Sequence, residues 1–261
     1  MQPPRDETLR TLLSDLYPND SSGDGKELSS QLLQILSQAS GDGDMAEPLD
    51  RWDGRDVVLI TYADTIGDEG MAGLQALKSF VNRHLYPFAA VIHVLPFLQS
   101  TSDGGFAVAS HDKLETRFGD WSDLAALAQG RRLMADLVLN HVSASHPWVQ
   151  QFMRDEQPGR SCVLEAEPDP CWTDVVRPRS SSLFTQLRGP KGARQVWTTF
   201  GPDQVDLDWR SAEVLLGFAR LMQRMARHGV RWIRLDAVGF CLLYTSPSPR
   251  DLSTSRMPSS A

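Results

Sequence analysis

Two short stretches place ionisable side chains where apolar ones are the rule. "RLMADLVLN" (132–140) and "VRWIRLDAV" (230–238) both read as buried strands, yet they carry Asp136, Asn140, Arg234 and Asp236, with His141 just past the end of the first. Strand side chains alternate in direction. Met134, Asp136, Val138 and Asn140 therefore share one face, and Trp232, Arg234 and Asp236 share another, while Ile233, Leu235 and Ala237 form an apolar face suited to helix packing. A buried carboxylate or guanidinium without partners costs several kcal/mol. Polar groups of neighbouring strands on the same face offset that cost by pairing. Such a set can hold one carboxylate charged and oriented at the carboxyl ends of the strands. The structural alternative is an Arg–Asp pair that only fixes strand register.

The elements that would position these groups follow from the hydrophobic pattern. "VVLITY" (57–62) and "AAVIHVLPF" (89–97) add two more compact apolar runs, so four buried strands are expected. "GLQALKSFVNRHL" (73–85) and "SAEVLLGFARLMQRMARHG" (211–229) have helical periodicity, the latter capped by Ser211 and ended by Gly229. "WSDLAALAQG" is a short helix with Ser122 or Asp123 near its N-cap. Alternating strands and helices predict an α/β fold with a parallel sheet, specifically the N-terminal half of a TIM (β/α)8 barrel. A doubly wound sheet is the alternative, but no GxGxxG follows the first strand.

Residues 1–50 read as an N-terminal helical extension. Residues 51–141 hold barrel strands 1–3 with their helices, and 142–210 form an inserted B subdomain, too long for an ordinary βα loop. Residues 211–240 supply the third barrel helix and the fourth strand. The end, 241–261, is dense in Ser and Pro without periodicity and reads as a non-native disordered tail, similar to translated adaptor sequence.

The chain has 261 residues, 41% hydrophobic and 23% charged, with a net charge of −7. That composition is globular, and the acidic balance argues against nucleic acid as partner. No apolar run approaches the roughly 18–20 residues that span a membrane. The N-terminus lacks the pattern of a signal peptide. The three cysteines show no metal-ligand spacing, so scattered thiols in a reducing cytoplasm are expected.

At this point the motifs resemble those of the alpha-amylase family (glycoside hydrolase family 13). "DLVLNH" (136–141) and "IRLDAVGF" (233–240) are similar to its first two signature regions, and "QVDLD" (204–208) to the motif of its inserted domain. "LITYAD", "HVLPF", "SDGGF", "FGDWSDL", "RPR" and "WTTF" resemble the sucrose phosphorylase subfamily. The N-terminal extension, "VVRPRSSSLFTQL" and "DLDWRSAEVLLGFARL" resemble its glucosylglycerate phosphorylases more. Val176 stands where sucrose phosphorylases carry Tyr, which tilts the expectation from sucrose to glucosylglycerate.

The resemblance implies a retaining phosphorylase that passes glucose from an α-glucoside to phosphate. Asp236 would be the nucleophile and Arg234 its orienting partner. His141 and Asp103 would bind glucose hydroxyls, and Phe106 would offer the sugar a flat apolar surface. Arg179 would take phosphate or the glycerate carboxylate, and Asp136 would support the site. Phosphate is a co-substrate, and neither a metal nor an organic cofactor is expected. In this family the general acid/base Glu lies on the fifth strand and a transition-state Asp after the seventh, so the chain as written is expected to be an inactive fragment. Sucrose phosphorylase, an α-glucosidase or transglucosylase, and a non-catalytic sugar-binding protein are the alternatives.

Overall fold

The computed structural model describes residues 6–18, 25–38, 57–86, 88–165 and 179–241. Cys171, Val176 and the tail from 242 onward lie outside the described residues. The chain divides into two compact units, one of Met1–Gln99, Ser110–Leu137 and Arg210–Arg234, the other of Ser100–Ala109, Val138–Trp209 and Leu235–Ala261.

The first unit opens with helices α1 (Asp6–Leu16) and α2 (Lys26–Ser37). Strand β1 (Val57–Thr61), helix α3 (Gly73–Phe80), strand β2 (Ala89–Val94), helix α4 (Trp121–Leu127) and strand β3 (Arg132–Val138) follow. After the excursion of the second unit come helix α7 (Ala212–Arg227) and strand β8 (Val230–Asp236). The sheet order is β1-β2-β3-β8, with β1–β2 and β2–β3 parallel. The strands lie side by side in chain order, without the reversal of a doubly wound sheet. Four such strands are half of an eight-stranded barrel, as the alternation predicted.

The central strands β2 and β3 bury Val91, Ile92, Val94, Leu133, Ala135 and Leu137, apolar on both faces as a covered parallel sheet requires. The edges differ. Ile60 on β1 and Leu235 on β8 are half exposed or more. The apolar face expected behind Ile233 and Leu235 is thus only partly covered, because β8 lies at an edge of the sheet.

Several element ends depart from expectation. Strand β2 stops at Val94, before Pro96, which has no N–H for a ladder. The helical run from Gly73 continues past Phe80 as a π-helical turn over Val81–Leu85. The N-cap of α4 is Asp120, not Ser122 or Asp123. Its carboxylate accepts from the Ser122 and Asp123 amides, and Asp123 accepts in return from the Asp120 amide at 3.1 Å. This reciprocal box satisfies donors that open the helix. Ser211 precedes α7 but makes no side-chain cap bond there. Gly229 ends α7 with φ +91, and an added Cβ would sit 2.3 Å from that of Ala128.

The N-terminal helices pack on α7. Leu13, Tyr17, Leu28 and Leu32 meet Leu216 and Ala219 in one apolar cluster. Two α7 side chains also cap the end of α2: Gln223 Nε2 donates to the Ile35 carbonyl at 2.5 Å, and Arg227 Nε to that of Gln38 at 3.0 Å.

The second unit runs through strand β4 (His141–Ser143), helices α5 (Pro147–Arg154) and α6 (Gly159–Cys162), and strands β5 (Phe184–Gly189), β6 (Gly192–Trp197) and β7 (Gln204–Asp206). β5 and β6 form a hairpin, and β4 pairs antiparallel with β7.

Leu28 is 1% exposed and Leu12 53% exposed. Leu28→Ala is expected to cost about 2–5 kcal/mol in denaturant unfolding, whereas Leu12→Ala changes stability by less than about 0.5 kcal/mol. Equal midpoints for the two variants would contradict the packing of this extension on α7.

Candidate functional site

The polar residues of the sequence gather in two places, one in each unit. In the first unit they form a row across three adjacent strands. The Asp136 side chain on β3 has no solvent exposure. Its Oδ2 accepts from His93 Nε2 on β2 at 2.8 Å, and its Oδ1 from Arg234 Nη1 on β8 at 2.5 Å. Arg234 is itself 46% exposed. His93 was not foreseen, since a lone histidine inside "AVIHVLPF" gives no sign of its partner.

In the second unit the site is built on the β4–β7 pair. His141 follows the end of β3, which stops at Val138 rather than Asn140, and opens β4, where it lies opposite Asp206, with Val142 opposite Val205 and Ser143 opposite Gln204. Opposed residues of an antiparallel pair project to the same face. The two valines therefore share a buried apolar face, and the four polar residues share the other. Asp206 is satisfied internally by Asn140 Nδ2 at 3.0 Å and by the amide and hydroxyl of Thr199.

Gln204 bridges two of the predicted residues. Its amide nitrogen lies 2.9 Å from Asp103 Oδ2 and 3.1 Å from His141 Nε2. The two N–H groups of one amide can serve both, which leaves His141 Nε2 as the unprotonated nitrogen. Asp103 is presented by a tight bend in which Asp103, Gly104 and Gly105 all have positive φ. Glycine takes that conformation freely. Phe106 follows directly, half buried, and its backbone is hydrogen-bonded by His141. Arg179 Nη2 stands 3.6 Å from Asp103 Oδ2, with both side chains substantially exposed.

Asp203 anchors this bend from below. It accepts from Thr101 Oγ1 at 2.5 Å and Ser102 Oγ at 2.6 Å, and from Ser143 and the Ala144 amide. Burial alone would raise its pKa, but these hydrogen bonds together hold it below the usual carboxylate value. Asp103, Arg179, Phe200, Asp203 and Gln204 line a pocket of about 370 Å³.

Asp236 closes β8, half buried, and its carbonyl accepts from the Leu139 amide at 3.4 Å. The next residue, Ala237, has φ +55, a left-handed conformation that costs an alanine on the order of 1–2 kcal/mol. It turns the chain so that Phe240 packs on Phe200 at 5.1 Å, and Phe200 packs on the His141 ring at 5.0 Å. The aromatic stack thus connects the segment after Asp236 to His141.

A family model, the alpha amylase catalytic domain, matches residues 88–257. The chain belongs to the alpha-amylase family. Among curated relatives, a glucosylglycerate phosphorylase of Allomeiothermus silvanus is 43% identical over 189 residues, which is 72% of this chain and 34% of that protein. A sucrose phosphorylase of Agrobacterium vitis is 34% identical over 200 residues, 71% of this chain and 40% of that protein. Among solved structures, a sucrose 6F-phosphate phosphorylase from Thermoanaerobacter thermosaccharolyticum superposes with a TM-score of 0.68 at 24% identity, over 77% of this chain and 43% of that one. The chain therefore spans about a third to two-fifths of the length of these curated relatives.

Two residues of this alpha-amylase family chain that sequence reasoning left without a role, Gln204 and Phe200, turn out to join the predicted ones. Both lie in motifs that carried the resemblance, "QVDLD" and "WTTF". The usable signal was polar–apolar–polar alternation in both "HVS" and "QVD", which fixes a polar face once the two are paired.

Burial lowers the His141 pKa from 6.5 to about 4, against the opposing pull of Asp103 and of the hydrogen bond to the Phe106 backbone. The ring is neutral in the fold, while the unfolded chain takes up a proton below pH 6.5. The stabilisation is complete above pH 6.5 and is lost as pH falls toward 4, by about 1.4 kcal/mol per pH unit in that window. Buried His111, also lowered to about 4, adds a loss of the same sign. Thermal unfolding followed from pH 7.5 to 4 should show a falling Tm, and His141→Gln should make that fall shallower. A Tm unchanged over this range would contradict a neutral buried His141.

Proposed function

We propose that this chain carries the nucleophile half of a retaining glycoside phosphorylase acting in the cytoplasm on an α-glucoside, with glucosylglycerate the favoured substrate and phosphate the co-substrate. The observation that carries this reading is the assembly of Asp103, His141 and Gln204 at one polar face, joined through Phe200 to the turn that follows Asp236. A carboxylate acceptor, an amide donor and a neutral imidazole suit the hydroxyls of an uncharged sugar. Similarity to glucosylglycerate phosphorylases at up to 43% identity supports the choice of substrate.

In the first step an Asp236 oxygen bonds the anomeric carbon as the glycosidic C–O bond breaks. The leaving oxygen takes the bonding pair and needs a proton from a second carboxylate. The resemblance assigns that acid to a fifth barrel strand, beyond the four strands of this sheet. In the second step a phosphate oxygen attacks the same carbon from the opposite face and displaces the Asp236 carboxylate, giving α-glucose 1-phosphate. Arg234 sits two residues before Asp236 on the same side of β8, where a guanidinium favours the ionised nucleophile. Arg179 at the pocket rim is the cation for phosphate or for the glycerate carboxylate. Phe106 faces the apolar side of the sugar.

α-Glucosyl fluoride separates the nucleophile from the acid, because fluoride leaves without protonation. Incubated with it, the 261-residue protein should gain one glucosyl group on Asp236, read by peptide mass spectrometry, and Asp236→Asn should gain none. Phosphate should then release glucose 1-phosphate from the labelled protein. Labelling at another residue, or none, would overturn the assignment of Asp236. Release of free glucose at an unchanged rate with phosphate present would point to a hydrolase instead.

A further inference from the structure

The row across β2, β3 and β8 is not consumed by the chemistry above, and one of its members has no assigned task. His93 is 4% exposed and lies in β2, opposite Met134 of β3 in the parallel register. Its Nε2 meets one oxygen of Asp136, whose other oxygen holds Arg234. Each carboxylate oxygen therefore has its own donor, from a strand on either side. A carboxylate with one donor removed is free to rotate toward the remaining one and take it in a bidentate grip. That rotation would draw the Arg234 guanidinium, and with it the end of β8, toward β3. The residue at that end is Asp236.

We infer that His93 is a positioning residue for Asp236, acting through Asp136 and Arg234 to fix where β8 ends. The inference rests on Asp236 being the nucleophile. His93 touches no substrate in this scheme. Its task is to hold Asp136 in the one orientation that presents a single oxygen to Arg234. An apolar side chain at 93 of similar size would keep the packing between strands but lose the orientation. A glutamine would restore it, because its amide nitrogen reaches about as far from the backbone as His Nε2 and donates a hydrogen bond.

The test uses the α-glucosyl fluoride reaction under single-turnover conditions, comparing the wild type with His93→Leu and His93→Gln. His93→Leu is expected to glucosylate Asp236 about 10- to 100-fold more slowly at saturating sugar, in line with the loss of other outer-shell orienting residues. Its half-saturating sugar concentration should stay within about twofold, because the pocket residues are untouched. His93→Gln should recover most of the rate. Thermal melts of all three proteins show which remain folded, and rates are taken below the lowest Tm. Should His93→Leu lower the Tm but react at the wild-type rate, His93 is structural and the inference fails. It fails equally if the leucine and glutamine variants are slowed alike, or if the leucine variant does not fold and glutamine is slowed as much as Asp136→Asn. Absence of labelling in the wild type would instead strike at the nucleophile assignment itself, so the two failures are distinguishable.

Discussion

The sheet is organised around a carboxylate that water cannot reach. Asp136 stands in a strand whose other residues are almost all apolar, and its side chain has no exposure. Burying such a group without donors costs several kcal/mol. The cost is met sideways, by His93 on one neighbouring strand and Arg234 on the other. A shift of either strand by one residue would send its donor to the opposite face of the sheet. The buried charge therefore selects a single register for three strands. β3 runs on past Ala135, the partner of the last residue of β2, toward the segment that carries Asn140 and His141, and β8 ends on Asp236. The reading of the Arg–Asp motif as a register device therefore fits the contact, in which Arg234 holds Asp136 two residues before the strand ends on Asp236.

Much of this sheet was legible because its strands are unbroken β-branched and leucine-rich runs, and such runs have one stable place, between covering layers. The existence and order of β1, β2, β3 and β8 followed from that pattern. The strand ends did not. The apolar character of "LPF" continues beyond β2, but hydrophobicity does not report whether a backbone N–H has a partner, and Pro96 has none to offer. The cap of α4 was misplaced by two or three residues for a related reason. Asp120, Ser122 and Asp123 are all competent caps, and only the reciprocal bonds between the first and the last distinguish them.

The site was partly legible. Asp103, His141 and Arg179 do meet, but the residue that joins two of them, Gln204, carries no charge that would mark it along the chain. His93 is ionisable but equally unmarked. A histidine in a core strand is most often a satisfied core residue, and nothing along the chain says which strand will lie beside it. What separates His93 from that ordinary case is a partner 43 residues away, visible only once β2 and β3 are paired. Val176, on which the expectation against sucrose leaned, lies outside the described residues, so the preference for glucosylglycerate stands on overall similarity instead.

The charge arrangement of the pocket bears on what it can hold. If His141 were cationic it would pair with Asp103 and draw off the hydrogen-bonding capacity that a sugar needs. Burial keeps the ring neutral near pH 7, so among the described residues Asp103 faces one side-chain amide, from Gln204, and a guanidinium at 3.6 Å. Asp203 is also on the lining, but its Oδ2 already accepts from the Thr101 and Ser102 hydroxyls and its Oδ1 from Ser143 and the Ala144 amide. The two carboxylates make this floor acidic, which favours hydroxyl donors over anions. Arg179 is the one cation among the described lining residues. A ligand that suits both halves has a neutral polyol at one end and an anionic group at the other.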